Sequence, residues 1–230
     1  MARGFFITGT DTDVGKTTIA LGLMVALKNA GLTVAAMKPV SAGCVNTDHG
    51  LRNDDAVRLM HQASIDLPYA LVNPYAFEPA IAPHIAAEDQ QVEMDIDSLL
   101  RAYRQIAEQV EVVIVEGAGG WQVPLNRHQT MADLAQALQA DVIQVVGLKL
   151  GCLNHALLTA QGIAAQGLRH TAWVANHGVA DMPCGAENIQ ALQQRLPGRC
   201  LGIVPALTPA DADPLRAEDI ARYLDIGAIL

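Results

Sequence analysis

Aromatic side chains are scarce in this 230-residue chain, at 4%, while 51% of residues are hydrophobic, so Ala, Leu, Val and Ile carry the apolar content. That composition suits helices stacked on a buried sheet and excludes a disordered or fibrous chain. Basic residues are also few: 15 Lys and Arg face 24 Asp and Glu, for a formal net charge of −9. A nucleic-acid partner is thereby excluded, because binding along a phosphate backbone depends on clustered cations that displace counterions. Any anion site must be local. The four cysteines, Cys44, Cys152, Cys184 and Cys200, form no CxxC pair, and the seven histidines form no close cluster. Neither a zinc site nor a disulfide framework is indicated, and scattered buried thiols are the plain reading. No apolar run approaches the ~20 residues of a spanning helix, and no fixed period indicates a solenoid. The N-terminus lacks a basic region, an apolar core and a small-residue cleavage site, which leads us to expect a cytoplasmic protein without membrane attachment.

What is present is a rhythm. Short apolar runs recur at 4–8 (GFFIT), 32–37 (LTVAAM), 112–116 (VVIVE), 141–146 (DVIQVV), 171–176 (TAWVAN) and 201–205 (LGIVP). Their continuous hydrophobicity predicts strands buried on both faces. Helical periodicity lies between them, as at 16–30, where Ile19, Leu23, Leu27 and Ala30 share a stripe that Gly31 ends, and at 97–110. Alternating strands and helices predict an α/β fold, a mostly parallel sheet flanked by helices, in a single domain over 1–230. Residues 64–92 break the rhythm with Pro68, Pro74, Pro79 and Pro83, and read either as a cover beside a site or as a surface excursion.

The stretch TGTDTDVGKTT at 8–18 follows a predicted strand and opens a predicted helix, the setting a phosphate cradle needs. Gly15 lets the backbone approach a phosphate, Lys16 reaches β and γ oxygens, and Thr17 offers a hydroxyl to Mg²⁺. Five residues rather than four separate Gly9 from Gly15, and Asp11 and Asp13 among them must turn from the phosphates, meet a cation, or satisfy backbone donors. Mg²⁺ calls for further carboxylates. Glu116, ending a strand before GAGG, and Asp55, in GLRNDDAVRL, are the candidates; taken alone, Glu116 reads as a cap for the segment after it and Asp54 or Asp55 as a helix N-cap. Lys38, just past the second strand, sits where it would stabilise charge in phosphoryl transfer, although a lone loop lysine is usually only solvated.

Taken in order, GTDTDVGKT, KPVSAG, GLRNDDA, VNPYAFEPAIAPH, VEGAGGW, VVGLKLGCLNHALLTAQ and WVAN resemble the dethiobiotin synthetase family from about residue 4 to about residue 207. The resemblance implies a homodimeric P-loop-type enzyme that closes a ureido ring on 7,8-diaminononanoate using carbon dioxide, ATP and Mg²⁺. It implies that Thr12, Asp13, Val14, Gly15, Lys16, Thr17 and Thr18 hold the phosphates, and that Thr17, Asp55 and Glu116 hold the metal. Lys16 and Lys38 would meet the transferred phosphoryl group. Gly117, Ala118 and Gly119 would follow the nucleotide, and Asn176 and His177, with Pro205, Ala206 and Leu207, would receive the base. Lys38, Ser41, Ala42 and Gly119 would meet the diamine, and Leu150 and Asn154 would reach its carboxylate tail across the dimer. Three positions depart from the family's usual pattern: Ala42 stands where a hydroxyl residue is usual, Asn188 where a Tyr is presented to the tail, and Ala82 where a Ser is common. Two other readings compete, an amide-forming ligase for another substrate and a partition-type ATPase switch, the latter without the second loop lysine it requires.

Overall fold

The computed structural model describes residues 2–178, 182–206 and 217–230. All six apolar runs become strands of one sheet: β1 (Arg3–Gly9), β2 (Val34–Met37), β7 (Val112–Gly120), β8 (Asp141–Gly147), β9 (His170–Asn176) and β10 (Arg199–Val204), in the order β10-β9-β8-β1-β7-β2. Every neighbouring pair is parallel. Alternation along each strand divides the core. Phe5 and Ile7 join Val112 and Ile114 under α1 (Lys16–Asn29), whereas Phe6 joins Val113 and Val115 under α5 (Ile96–Ala107) and α6 (Met131–Leu138). Burial on both faces is why these runs read as continuous rather than alternating. Two further helices, α7 (Cys152–Ala165) and α8 (Gly185–Arg195), cover Trp173 and Ala175. α1 ends as its glycine signals: Gly31 takes φ +89, and the Leu32 amide returns 3.2 Å to the Leu27 carbonyl.

The sheet grows from β1 in both directions, β7 on one side and β8 on the other. Such a reversal opens a crevice at the carboxyl edge, and β1 delivers the phosphate loop there. Between β2 and α5 the chain forms short pieces: β3 (Val40–Ser41), β4 (Val45–Thr47), β5 (Gly50–Arg52), α2 (Asp54–Gln62), α3 (Tyr69–Val72), β6 (Tyr75–Ala76) and α4 (Pro83–Asp89). The proline-rich 64–92 segment therefore holds two short helices, with Pro68 preceding α3 and Pro83 opening α4, where a missing N–H costs nothing. A last helix, α9 (Ala217–Ala221), packs on α1. Among the described residues no helix is long and apolar enough to cross a membrane.

One buried group predicts an acid sensitivity. His170 opens β9, 9% exposed, and burial pushes its imidazole from 6.5 down to about 4, opposed weakly by the Ala172 backbone. A depressed value means that folding favours the neutral ring, so this contribution is complete above about pH 6.5 and is lost as pH falls toward 4. By pH 4.5 the loss amounts to about 2.5 kcal/mol. Urea titrations of the wild type and His170→Leu at pH 7 and pH 4.5 should show the variant losing less stability by that margin; equal losses would remove His170 from the acid response.

Candidate active site

The phosphate loop turns out of β1 at Gly9 and is tied to the sheet by the Thr10 amide, which donates to the Val145 carbonyl over 3.0 Å. Gly15 caps α1 in the left-handed region, φ +87, leaving the first-turn amides free to face an anion. A Cβ there would lie 2.2 Å from Asn176 Nδ2, which donates to the Val14 carbonyl over 2.9 Å. Lys16 is buried and spans the loop to donate to the Asp11 carbonyl over 3.1 Å, and burial lowers its ammonium pKa. The aspartates resolve differently. Asp11 Oδ1 accepts from the Thr12 amide while Oδ2 pairs with Lys149 at 2.6 Å, so it satisfies a backbone donor and meets a cation at once. Lys149 holds the Asp11 carboxyl below its ordinary value. Asp13 takes φ +58 at the exposed crest of the turn.

Beneath the loop four predicted side chains meet. Thr17 donates to Glu116 Oε1 at 2.8 Å, and its hydroxyl is among the groups that lower the Asp55 carboxyl. Lys38 Nζ lies 2.5 Å from the same Glu116 oxygen and 3.1 Å from Asp55 Oδ2. Burial acts against the Lys38 ammonium, but the two carboxylates outweigh it and hold its pKa above the ordinary value. For Asp55 burial likewise acts against the charge, and Lys38 outweighs it, so the carboxyl stays below its usual range. Neither Asp54 nor Asp55 caps α2. Asn53 does, its side chain accepting from the Ala56 amide, and this frees Asp55 in the first turn to face Lys38. Nor does Glu116 cap anything: β7 continues past it to Gly120, and Glu116 lies wholly buried within the strand.

These groups line one cavity of about 850 Å³, whose floor is Thr12, Gly15, Lys16, Thr17 and Thr18. Its sides include Lys38, Ser41, Ala42, Ala118 and Gly119, and its far wall is Ala80, Ile81, Ala82 and Pro83. The 64–92 segment thus does border the site. Sequence reasoning missed Arg58, which lines the cavity one helical turn after Asp55, and Val40 and Val123, which give it an apolar side. An arginine on the polar stripe of a short helix carries no local mark that separates it from a solvated one.

The donor set fits a hard divalent cation. Glu116 Oε2 is buried without a hydrogen-bond partner, and Thr17 and Asp55 add oxygen donors around the same point. Among the described residues no cluster of three His, Cys, Asp or Glu side chains forms a complete protein cage. Mg²⁺ asks for none, because it retains waters and takes phosphate oxygens beside one or two carboxylates.

Comparison with known proteins decides the family. A family model described as an AAA domain matches residues 3–213. The "ATP-dependent dethiobiotin synthetase BioD" of Cellvibrio japonicus is 50% identical over 224 residues, covering 97% of this chain and 98% of that protein. That of Aeromonas hydrophila is 47% identical over 231 residues, covering all of both. This chain belongs to the dethiobiotin synthetase family. It is a ligase.

Solved structures add the fold alone: a MinC:MinD cell division protein complex from Aquifex aeolicus is 17% identical, with a TM-score of 0.58 over 98% of this chain and 88% of that one. The remaining site positions of this synthetase-family chain fall in three places. Val14 and Gly117 are buried behind the loop, Val14 against Gly147 and Gly117 against Phe6. Asn176, His177, Pro205 and Ala206 gather at the carboxyl ends of β9 and β10, where the His177 amide donates to the Val204 carbonyl, while Leu207 lies outside the described residues. Leu150, 94% exposed, and Asn154, also exposed, lie beside α7's first turn and do not line the cavity. Ser41 borders the cavity yet donates its hydroxyl to Asn73 Oδ1 over 2.7 Å, and Asn188 turns back to the Cys184 carbonyl at 2.8 Å.

Proposed function

We propose that the chain, as one domain, is an ATP- and Mg²⁺-dependent cyclo-ligase that makes dethiobiotin from 7,8-diaminononanoate and carbon dioxide, in the cytoplasm and as a homodimer. The observation that carries this reading is the convergence of Lys16, Thr17, Lys38, Asp55 and Glu116 at the foot of the phosphate loop, in a chain half identical to ATP-dependent dethiobiotin synthetases.

In the proposed reaction one amine takes up carbon dioxide as a carbamate. A carbamate oxygen attacks the γ-phosphorus and ADP leaves, giving a carbamic–phosphoric anhydride. The second amine then attacks the carbonyl carbon, closes the ring and expels phosphate. Thr17, Asp55 and Glu116 would hold Mg²⁺, whose bound charge would neutralise phosphate oxygens during transfer. Lys16 would hold the β and γ oxygens, and Lys38, already beside the carboxylates, would meet the γ-phosphoryl as charge moves onto its oxygens. Asn176 donates one amide hydrogen to the Val14 carbonyl and its oxygen accepts from the Gly178 amide at 3.4 Å, so one N–H and one lone pair would remain for an adenine edge. The Ala80–Pro83 wall would keep water from the carbamate and the anhydride. Leu150 and Asn154 would serve the partner's cavity, consistent with their distance from their own.

A second reading, a ligase for a different amine or acid, draws on the substrate positions. Ala42 has no hydroxyl, Ser41 donates away to Asn73, and Asn188 is bonded to its own helix. One assay separates the two: phosphate release with MgATP and bicarbonate, with and without 7,8-diaminononanoate, followed by mass detection of product. Diamine-dependent release with dethiobiotin formed supports the first reading. Nucleotide binding without that dependence overturns it in favour of the second.

A further inference from the structure

The motif VNPYAF at 72–77 is used by none of the steps above, yet it supplies one of the most fully hydrogen-bonded polar side chains of the fold. Asn73 is 3% exposed and its amide engages four partners. Nδ2 donates to the Lys38 carbonyl at 2.7 Å and to the Tyr75 carbonyl at 3.2 Å. Oδ1 accepts from Ser41 Oγ at 2.7 Å and from the Tyr69 hydroxyl at 2.9 Å. Two of these partners are carbonyls, which only accept, so the amide nitrogen must face them and the orientation is unambiguous. The hydrogens and lone pairs of the amide are then all used.

Tyr69 extends the chain. Its hydroxyl donates to Asn73 and accepts from the Asn53 amide at 2.8 Å. Burial pushes the phenol up, so it remains a donor, and the Arg52 guanidinium lies 4.1 Å over its ring. Asn53 is the residue that caps α2, and Asp55 lies two positions later. The Lys38 carbonyl, Asn73, Tyr69 and the Asn53 amide therefore form a relay between the two backbones that carry Lys38 and Asp55, and the 3.1 Å Lys38–Asp55 ion pair closes it into a ring. Backbone pairing reinforces it: the Lys38 amide donates to the Val72 carbonyl, and β3 pairs with β6 through Val40 and Ser41.

We propose that Asn73 and Tyr69 are positioning residues of the synthetase site, whose amide–hydroxyl relay sets the placement of Lys38 against Asp55 and thereby the geometry of metal binding and phosphoryl transfer. The proposal rests on the roles given to Lys38 and Asp55 above. It also gives 64–92 a task besides covering the cavity, since α3 and β6 hold the backbone from Lys38 to Ser41. Ser41, by donating to Asn73, belongs to this brace.

Tyr69→Phe is the sharpest test, because it keeps the ring over Arg52 and removes only the hydroxyl. ADP affinity without metal should stay within about twofold, whereas Mn²⁺ affinity of the ADP complex, read from the EPR signal of free Mn²⁺, should weaken about tenfold. At saturating substrates kcat should fall about tenfold, with KM for the diamine unchanged within about twofold. Asn73→Asp, which sets a carboxylate against two carbonyls, should give the same split more strongly, and Tyr69→Phe decides the matter if that variant does not fold. A lowered melting temperature with unchanged Mn²⁺ affinity and kcat would mean a merely structural role and overturn the proposal, as would no change at all. Should the wild type show no diamine-dependent turnover, the proposed function falls, and the Mn²⁺ measurement still decides the relay.

Discussion

Replacing Lys38 with methionine is expected to lower turnover by about 10²- to 10³-fold and, without metal, to cost the fold about 3–5 kcal/mol. The stability loss follows from Glu116, which is wholly buried, has one oxygen unpartnered, and among the described residues would lose its only ammonium in direct contact, with Lys16 acting at longer range. Asp55 contributes less, because its side chain is 38% exposed and water screens it. The sign with pH follows from the two shifts. The raised Lys38 value gives stability that is present below about pH 10.5 and lost above the folded pKa, and the lowered Asp55 value gives stability present above about pH 4 and lost below its folded pKa. Near neutrality both are fully charged, so the deficit should be visible in ordinary buffer by urea denaturation. Excess Mg²⁺ should stabilise the variant more than the wild type, since it supplies the missing counter-charge without competing with an ammonium. A variant that gains no more from Mg²⁺ than the wild type would break the argument that Lys38 and the metal share these carboxylates.

Gly15→Ala should weaken nucleotide binding by at least about 100-fold, from a single added methyl group. Two effects combine. An alanine at φ +87 pays about 1–2 kcal/mol for left-handed backbone, and its Cβ would meet Asn176 Nδ2 at 2.2 Å, expelling the amide that holds the Val14 carbonyl. The loop amides would then no longer converge on one point. Calorimetric titration with ADP measures the loss, and comparing Gly15→Ala in the wild-type and Asn176→Ala backgrounds separates the causes. The glycine replacement should cost less in the Asn176→Ala background, where the clash is gone, and what cost remains there belongs to the strained φ. If Gly15→Ala binds ADP as the wild type does, the loop is no phosphate cradle.

The strands were the most legible part of the fold, because burial on both faces writes an uninterrupted apolar run. Their ends were less so. β7 continues from Glu116 through GAGG, where glycines carry no strand preference and pairing of Gly9 with Gly120 does the work. In α2 three adjacent residues, Asn53, Asp54 and Asp55, can all cap a helix, and only the distant Tyr69 hydroxyl on the Asn53 amide distinguishes among them. α4 was hidden by the same Pro83 that opens it. At the site, Gly15, Lys16 and Thr17 were legible locally, since one turn of backbone brings them together. Lys38 and Glu116 lie 78 residues apart, and no spacing rule predicts an ion pair across that distance. Family resemblance implied a place for each at the site, Lys38 on the phosphoryl group and Glu116 on the metal, but not the pair. Asn73 and Arg58 escaped because a polar residue among apolar ones, or on a polar stripe, looks ordinary until its neighbours from elsewhere in the chain are known.

The central place of β1 bears on how the chain is made. Its apolar FFIT run leaves the ribosome well before its two neighbours in the sheet, β7 and β8, which end at Gly120 and Gly147. At common synthesis rates roughly 7–28 s pass before both have been added. During that time the run has no edge to pair with, and α1 has no sheet to lie on. Asn176, which pins the loop, is added later still. The phosphate loop is thus synthesised before the strands and the Asn176 side chain that shape it, which makes nucleotide binding a late marker of completed folding.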